Sequence, residues 1–439
     1  MKYILICFLS ILAFPGISQD FDKAKMDTFF DAIDANDKGM GSVAIHHKGE
    51  KVYERAIGFE DLVKEKKATP DTKYRMGSIS KTYTATIIMQ LIEEEKLTLD
   101  TKLSKYFPDF ENADQITIKH LLQHRSGLFN YTSAPDFPMT MMMPIDREGL
   151  IKKMMANDNV FAPGEKYEYC NTGYTLLGFI AEAIDDKKFP QIIVDRITAP
   201  HHLGDTYYGE KIGDQENEAR SYITISSWQQ HPEWHMSSVQ GAGALVATPS
   251  DINVFFSKLM TGQIIQPSSV EMMKEMNENY GFALFEIPFY DRTAVGHNGK
   301  IDGFLSSASY FHSDSTAVCY ISNGTNWSTN DILIGVLSIY YGKEYEIPDF
   351  QSIAIADDVI EKYLGVYSTP DFPLKITIAK GDGTITAQAT GQSSFPLEPT
   401  EEHHFKFDGA GIKMSFDTEK GTMNFSQGGM KFEMSREED

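Results

Sequence analysis

The chain has 439 residues, 41% of them apolar and 23% charged, with 33 Gly and 18 Pro, which excludes collagenous, disordered and coiled-coil classes and leaves room for two or three domains. Its 40 Lys and Arg against 62 Asp and Glu give a net charge of -22, which repels phosphate backbones and excludes nucleic acid as a partner. The chain opens with Met1-Lys2-Tyr3, an apolar run from Ile4 to Phe14, and small residues at Gly16 and Ser18. That pattern predicts a signal peptide over residues 1–18 and a secreted or periplasmic protein; a buried N-terminal helix is disfavoured because nothing amphipathic follows the run. Cys7 lies too deep in it to be a lipoprotein anchor. Cleavage leaves only Cys170 and Cys319, which imply no disulfide framework, although two cysteines could pair in an oxidising compartment. No later apolar run approaches membrane-spanning length, so the mature chain is expected to be soluble, with no membrane span.

Ser42 to Ile45, Lys48-Gly49-Glu50 and Val52 to Ile57 read as a β-hairpin. From Ser78 to Glu95, Ile79, Tyr83, Ile87, Ile88, Leu91 and Ile92 recur at helical spacing, which places Ser78 at a helix N-terminus. Leu103 to Lys153 mixes Pro108, Pro135, Pro138 and Pro144 with Met139, Met141, Met142 and Met143; irregular helices with a loose Met-containing core are expected, ahead of a promiscuous Met-lined pocket. Strand patterns return between Gly281 and Tyr320, with Ala317 to Ile321 the clearest, so a sheet begun by the hairpin is completed late. Ile347-Pro348-Asp349-Phe350 reads as a linker. Beyond Tyr363, short alternating segments with turns at Gly383, Gly409 and Gly421 predict a separate β domain closed as a barrel to hide its edges.

Three short patterns carry chemistry. Ser78-Ile79-Ser80-Lys81 puts a hydroxyl and an amine one helical turn apart, and the amine becomes a base if burial or other positive charge lowers its pKa. Tyr169-Cys170-Asn171 sets a phenol, able to relay protons, beside a carboxamide able to orient the amine and a substrate amide. In His297-Asn298-Gly299, the glycine would let substrate approach the backbone and the histidine could donate to the phenol or to a substrate carboxylate. His47-Lys48-Gly49 repeats that last pattern at a plain turn, so it is the weakest. Elsewhere, His231 and His235 have zinc-like spacing, but the intervening Glu233 is misplaced and Pro232 disfavours a helix. Asp34 to Gly39 begins like a calcium loop, but Lys38 occupies a ligand position and Ile45 the place of the closing glutamate. No metal and no cofactor is expected, and the absence of any Gly-x-Ser-x-Gly removes the α/β-hydrolase alternative.

In order and spacing, Tyr74 to Thr82, Ile118 to Leu128, Tyr169 to Gly178 and Gly296 to Phe304 resemble the serine β-lactamase and penicillin-binding-protein-like family, in its class C and D-Ala-D-Ala carboxypeptidase branch. The resemblance runs from about Val43 to Ser338. It implies an α/β (α+β) β-lactamase-like fold, a mainly antiparallel sheet flanked by helices with a helical subdomain. It also implies Ser78 as acylated nucleophile, Lys81 and Tyr169 as general bases, Asn171 as positioner, His297 and Gly299 in the third motif, and an oxyanion hole from the N–H groups of Ser78 and Lys300. His124 and Ser126 are structural in this reading. Cys170, at a position usually small, and Lys300, where Gly, Ser or Thr is commoner, depart from the pattern. Tyr363 to Tyr367 is similar to the opening of the small lipocalin-like domains appended to the family.

The expected organisation is thus a signal peptide over 1–18, a serine hydrolase domain over 19–345, a linker over 346–362 and a small all-β barrel over 363–439. The expected function is acyl transfer to water from a small peptide or ester, with peptidoglycan-derived peptides among the candidates. A D-Ala-D-Ala carboxypeptidase-like or D-amino-acid peptidase leads, with protonated His297 holding a substrate carboxylate. A carboxylesterase or weak β-lactamase of the same fold and a non-catalytic peptidoglycan or ligand sensor stand as alternatives.

Overall fold

The computed structural model describes residues 21–437 apart from 214, 225, 226, 351, 352, 354, 382, 393, 408, 409, 428 and 429. The expected signal segment and the turn at Gly409 lie outside the described residues. Helix α1 (Lys23–Ala35) starts at Asp22, whose carboxylate accepts from the Lys25 N–H, and leads into the hairpin β1 (Gly39–His47) and β2 (Glu50–Ile57). Helices α2 (Ser80–Glu93), α3 (Asn171–Asp185) and α4 (Pro249–Met260) follow, then strands β3 (Phe285–Phe289), β4 (Arg292–Ile301), β5 (Phe304–Phe311) and β6 (Thr316–Thr325), and helix α5 (Thr329–Tyr340). The strands form one antiparallel sheet in the order β3-β4-β5-β6-β1-β2, so the two chain ends meet where β1 lies against β6, Val43 opposite Tyr320.

Both faces of this sheet are covered, which is why Ala317 to Ile321 is an unbroken apolar run rather than an alternating one. Val318, Tyr320, Val43 and Ile45 pack beneath α1 and α5. Ala317, Cys319 and Ile321 join the opposite core with Ile87 of α2 and Phe255 of α4. Each fully buried Val, Ile or Phe among these contributes about 1.5–3 kcal/mol by leaving water.

Between α2 and α3 the chain forms the irregular helical region expected there, with short helices at Ile118–Leu122, Phe137–Thr140 and Arg147–Met154. Of Met139, Met141, Met142 and Met143, only Met141 packs against the core. Met139, Met142 and Met143 are 78%, 44% and 63% exposed, because the helix that carries Met139 is a single four-residue turn with only Phe137 turned inward. Among the described residues no helix is long and apolar enough to cross a membrane.

The C-terminal strands β7 (Gly365–Thr369), β8 (Phe372–Lys380), β9 (Ile385–Ala389), β10 (Phe395–Glu401), β11 (His404–Phe407), β12 (Ile412–Asp417), β13 (Thr422–Gln427) and β14 (Met430–Arg436) form a closed barrel, each pairing with the next and β7 with β14. Alternate residues such as Ile376, Ile378, Met414 and Phe416 fill its own core. The stretch before it is docked: Phe350 is buried against Trp327, ring centroids 5.0 Å apart, so the first core reaches residue 350. The Lys38 and Lys406 ammonium groups, one from each domain, lie 5.4 and 5.7 Å from the centre of the Phe350 ring. Lys38 also pairs with Glu398 of the barrel at 2.6 Å.

Candidate active site

A one-turn 3-10 helix, Gly77–Ile79, runs directly into α2, so Ser78 and Lys81 project from the same side one turn apart. Gly77 has φ +55°, and a Cβ there would lie 2.8 Å from the Lys300 backbone nitrogen. Gly299 is equally constrained, since its Cβ would meet the Met76 carbonyl oxygen at 2.0 Å. Two glycines therefore let the β4 backbone lie against the Ser78 turn, and Ser306 Oγ donates to Met76 O at 2.8 Å across the contact. Strand β3 stops with Phe285 opposite Gly296, which leaves residues 297–301 of β4 unpaired by β3 along the edge facing Ser78. The Lys300 backbone nitrogen is thereby brought against Gly77, the residue before Ser78, while Lys300 itself is exposed.

The Lys81 amine is fully buried and contacts three oxygens: Ser78 Oγ at 2.9 Å, Asn171 Oδ1 at 2.8 Å and Ala242 O at 2.7 Å. Burial holds its pKa well below the usual lysine value, and among the described residues no carboxylate pairs with it. The amide and backbone carbonyls can only accept, so a neutral amine gives its two N–H groups to them. Its lone pair is then left for the Ser78 hydroxyl proton. The Tyr169 ring lies 4.9 Å from the Lys81 nitrogen. Burial raises the Tyr169 pKa, and a hydrogen bond with the Ser78 side chain offsets only part of that, so the phenol keeps its proton. Asn171, at the start of α3, is held by Asn130 Oδ1, which accepts its backbone N–H at 3.0 Å, and by Thr132 Oγ1, which accepts from its Nδ2 at 2.8 Å.

His297 differs from expectation. It is 3% exposed, its Nε2 lies 3.0 Å from Tyr280 Oη, and its Nδ1 faces its neighbour's Asn298 O at 2.5 Å. Burial first, and a positive charge on Lys81 whenever that amine is protonated, lower its pKa to about 3, so the expected cation for a substrate carboxylate is absent at neutral pH. His124 lies behind Tyr169 with ring centroids 4.3 Å apart, accepts the Cys170 N–H at its Nδ1 at 3.1 Å, and reaches Tyr280 Oη with its Nε2 at 3.1 Å. Cys170 and Cys319 are both buried and free.

The structure brings Ser78, Lys81, Tyr169, Asn171, Gly299 and Lys300 together and sets His297 at the edge of the group. Sequence reading missed Tyr280, Asn130 and Thr132, which have no local motif of their own. It also missed the buried Arg75–Asp302 pair, 2.7 Å apart, which ties the segment before Ser78 to the turn after Lys300. His231 and His235 serve local turns, with His235 Nδ1 accepting the Ser237 N–H. Among the described residues no group of three or more His, Cys, Asp or Glu is placed to hold a metal ion.

A family model described as Beta-lactamase matches residues 27–335. Penicillin-binding protein 4* of Bacillus subtilis (strain 168) is 22% identical over 429 residues, covering 89% of this chain and 93% of that protein. Teichoic acid D-alanine hydrolase of Staphylococcus aureus is 25% identical over 270 residues, 60% of this chain and 66% of that one. Among solved structures, the octameric penicillin-binding protein homologue from Pyrococcus abyssi superposes with TM-score 0.67 at 22% identity, over 94% of this chain and 99% of its own. D-amino acid amidase from Ochrobactrum anthropi SV3, complexed with D-phenylalanine, gives 0.65 at 24% identity, over 73% and 99%. The structural likenesses show the fold.

Proposed function

The chain belongs to the Beta-lactamase family and is a serine hydrolase, and we propose that within that family it hydrolyses D-amino-acid amides or peptides through an acyl-enzyme on Ser78. The observation that carries this is the buried Lys81 amine, held by the Asn171 Oδ1 and Ala242 O acceptors 2.9 Å from Ser78 Oγ, its pKa lowered by burial. Lys81 takes the Ser78 proton as Oγ bonds to the substrate carbonyl carbon, and the Ser78 and Lys300 N–H groups hold the oxyanion. The C–N bond then breaks, and the leaving nitrogen receives a proton passed from Lys81 through Tyr169, which stays a phenol between turnovers. Water enters, gives a proton to the same base, and releases the acid with Ser78 restored. Asn171 keeps the amine in place by accepting one of its N–H groups.

The relatives favour a D-configured substrate: a teichoic acid D-alanine hydrolase, a D-amino acid amidase and a D-stereospecific amidohydrolase from Streptomyces sp. share the family or the fold. Export to the periplasm or medium is part of the proposal and rests on residues 1–18 alone.

The test is a fluorophosphonate probe followed by peptide mass spectrometry, together with turnover of D-amino-acid amides, D-Ala-D-Ala peptides, short esters and a chromogenic cephalosporin. Ser78 should carry the adduct, and D-configured amides or peptides should turn over fastest. An adduct on another serine, or no adduct, rejects the assignment. Preference for esters moves it to the carboxylesterase reading.

A further inference from the structure

A run of hydrogen bonds crosses the wall of the site, and the chemistry of its two ends fixes a proton on His124 Nε2 and another on His297 Nδ1. At one end the Cys170 backbone N–H can only donate, so His124 Nδ1 is bare and His124 Nε2 carries the proton that goes to Tyr280 Oη. At the other end the Asn298 carbonyl can only accept, so His297 Nδ1 carries a proton. If His297 is neutral, its Nε2 is bare and accepts from Tyr280 Oη. The phenol is the one member able to accept from one imidazole and donate to the other. Tyr174, whose hydroxyl lies close to that of Tyr280, gives its own proton to Leu122 O at 2.7 Å and so offers Tyr280 a second acceptor, but His297 Nε2 is the one at 3.0 Å.

The surroundings keep His297 neutral. The groups facing it are Lys81 from α2, Tyr169 from the loop before α3, Tyr280 with His124 behind it, and the Phe285 ring, centroid 5.3 Å away. Among the described residues no carboxylate pairs with either histidine. A proton added at His297 Nε2 would point at a phenol oxygen already taking one from His124, in a buried pocket beside an amine.

We propose that Tyr280 is a positioning residue which locks His297 uncharged and turned away from substrate, so that the site favours acyl donors whose leaving side bears no carboxylate. This rests on the hydrolase reading above and narrows it: C-terminal amides and internal peptide bonds are accepted in preference to a free C-terminal carboxylate. The lock works on both flanks, since His124 stacks on Tyr169 while Tyr280 fixes His297.

The test compares D-alanyl-D-alanine with its N-methylamide, cleaved at the same peptide bond, across pH 5.5 to 8.5, in wild type and Tyr280→Phe. Wild type should prefer the N-methylamide by roughly tenfold or more in kcat/KM, with a ratio that does not change with pH. In Tyr280→Phe the phenol no longer occupies His297 Nε2, and the ratio should fall below the wild-type ratio at the acid end of the range while matching it at pH 8.5. A wild-type preference for the free acid that fades as pH rises overturns the proposal, as does a Tyr280→Phe ratio equal to wild type at every pH.

Nitrogen NMR of histidine-labelled full-length protein reads the lock without turnover, even if the variant fails to fold. The His297 signal, assigned by its loss in His297→Gln, should show a bare Nε2 and a protonated Nδ1 throughout the range. A doubly protonated ring, or the opposite tautomer, overturns the proposal. Failure of the fluorophosphonate to label Ser78 would instead count against the hydrolase reading alone, because the NMR result does not depend on it.

Discussion

Lys81 and His297 are both nitrogen bases, both buried in one pocket wall, and both held by burial below their ordinary pKa. They differ in what their neighbours leave unused. Two of the three oxygens around Lys81 can only accept, so its lone pair remains for the Ser78 hydroxyl. Both nitrogens of His297 are taken, one by a carbonyl and one by a phenol. Burial alone therefore does not make a catalytic base. What decides is whether the partners consume the lone pair.

The largest expected effect removes the first base. Lys81→Met, which fits an unbranched apolar chain into the same space, should lower kcat/KM by about two to four orders of magnitude through loss of general-base catalysis, with a lower Tm as well because Asn171 Oδ1 and Ala242 O lose their donor. In wild type, kcat/KM for a neutral amide should rise as pH climbs through the lowered Lys81 pKa. A variant that keeps wild-type rates would return the base to Tyr169 and erase the contrast with His297.

A second change leaves both bases alone and moves the backbone between them. Gly299→Ala places a methyl 2.0 Å from Met76 O and 2.3 Å from Ser306 Oγ, forcing β4 away from the Ser78 turn. Losing the Lys300 N–H from the oxyanion should cost about two to three orders of magnitude in kcat, with Lys81 still in place. Fluorophosphonate labelling kinetics should slow in parallel, and unchanged labelling would remove Lys300 from the hole.

The smallest effect concerns stability. His297 and His46 have folded pKa values of about 3 and about 4, both below the value of about 6.5 in an unfolded chain. Between those limits the unfolded state binds more protons, so stability is present above pH 6.5 and declines as pH falls. Each should forfeit about 1 kcal/mol between pH 7 and pH 5.5, read as a shift in urea midpoint. His297→Gln should flatten part of that decline. A midpoint that does not move would mean that the buried imidazoles do charge, against the lock on His297.

The part of this site legible in the sequence is the part carried by short spacing. Ser78 and Lys81 share a helical turn, Tyr169 and Asn171 flank one residue, and a glycine follows His297 by two, so each pair needs no tertiary information. The alternation from Leu374 to Phe425 made the barrel legible for the same reason. Tyr280 was not legible, because its role is set by His124 and His297, which come from a different loop and a different strand. Phe350 read as linker because its burial depends on Trp327, and its charged neighbours on Lys38 and Lys406, none of them adjacent in the chain. The exposed methionines misled because helical spacing does not tell which turns are too short to present a buried face.

The two sheets also keep different clocks. Strand β1 must find β6, Gly39 opposite Thr325, so the catalytic sheet stays open until nearly all of its domain has been synthesised. Every barrel strand except the closing pair meets the one made just before it. Chain closure over long separations is slow, so on refolding the barrel amides should gain hydrogen-exchange protection before those of β1 and β6. The reverse order would show that the N-terminal strands are held in register by something other than their eventual partner. With the order as expected, the hairpin β1 and β2 spends most of synthesis as an unpartnered edge, the interval in which a foreign strand could pair with it.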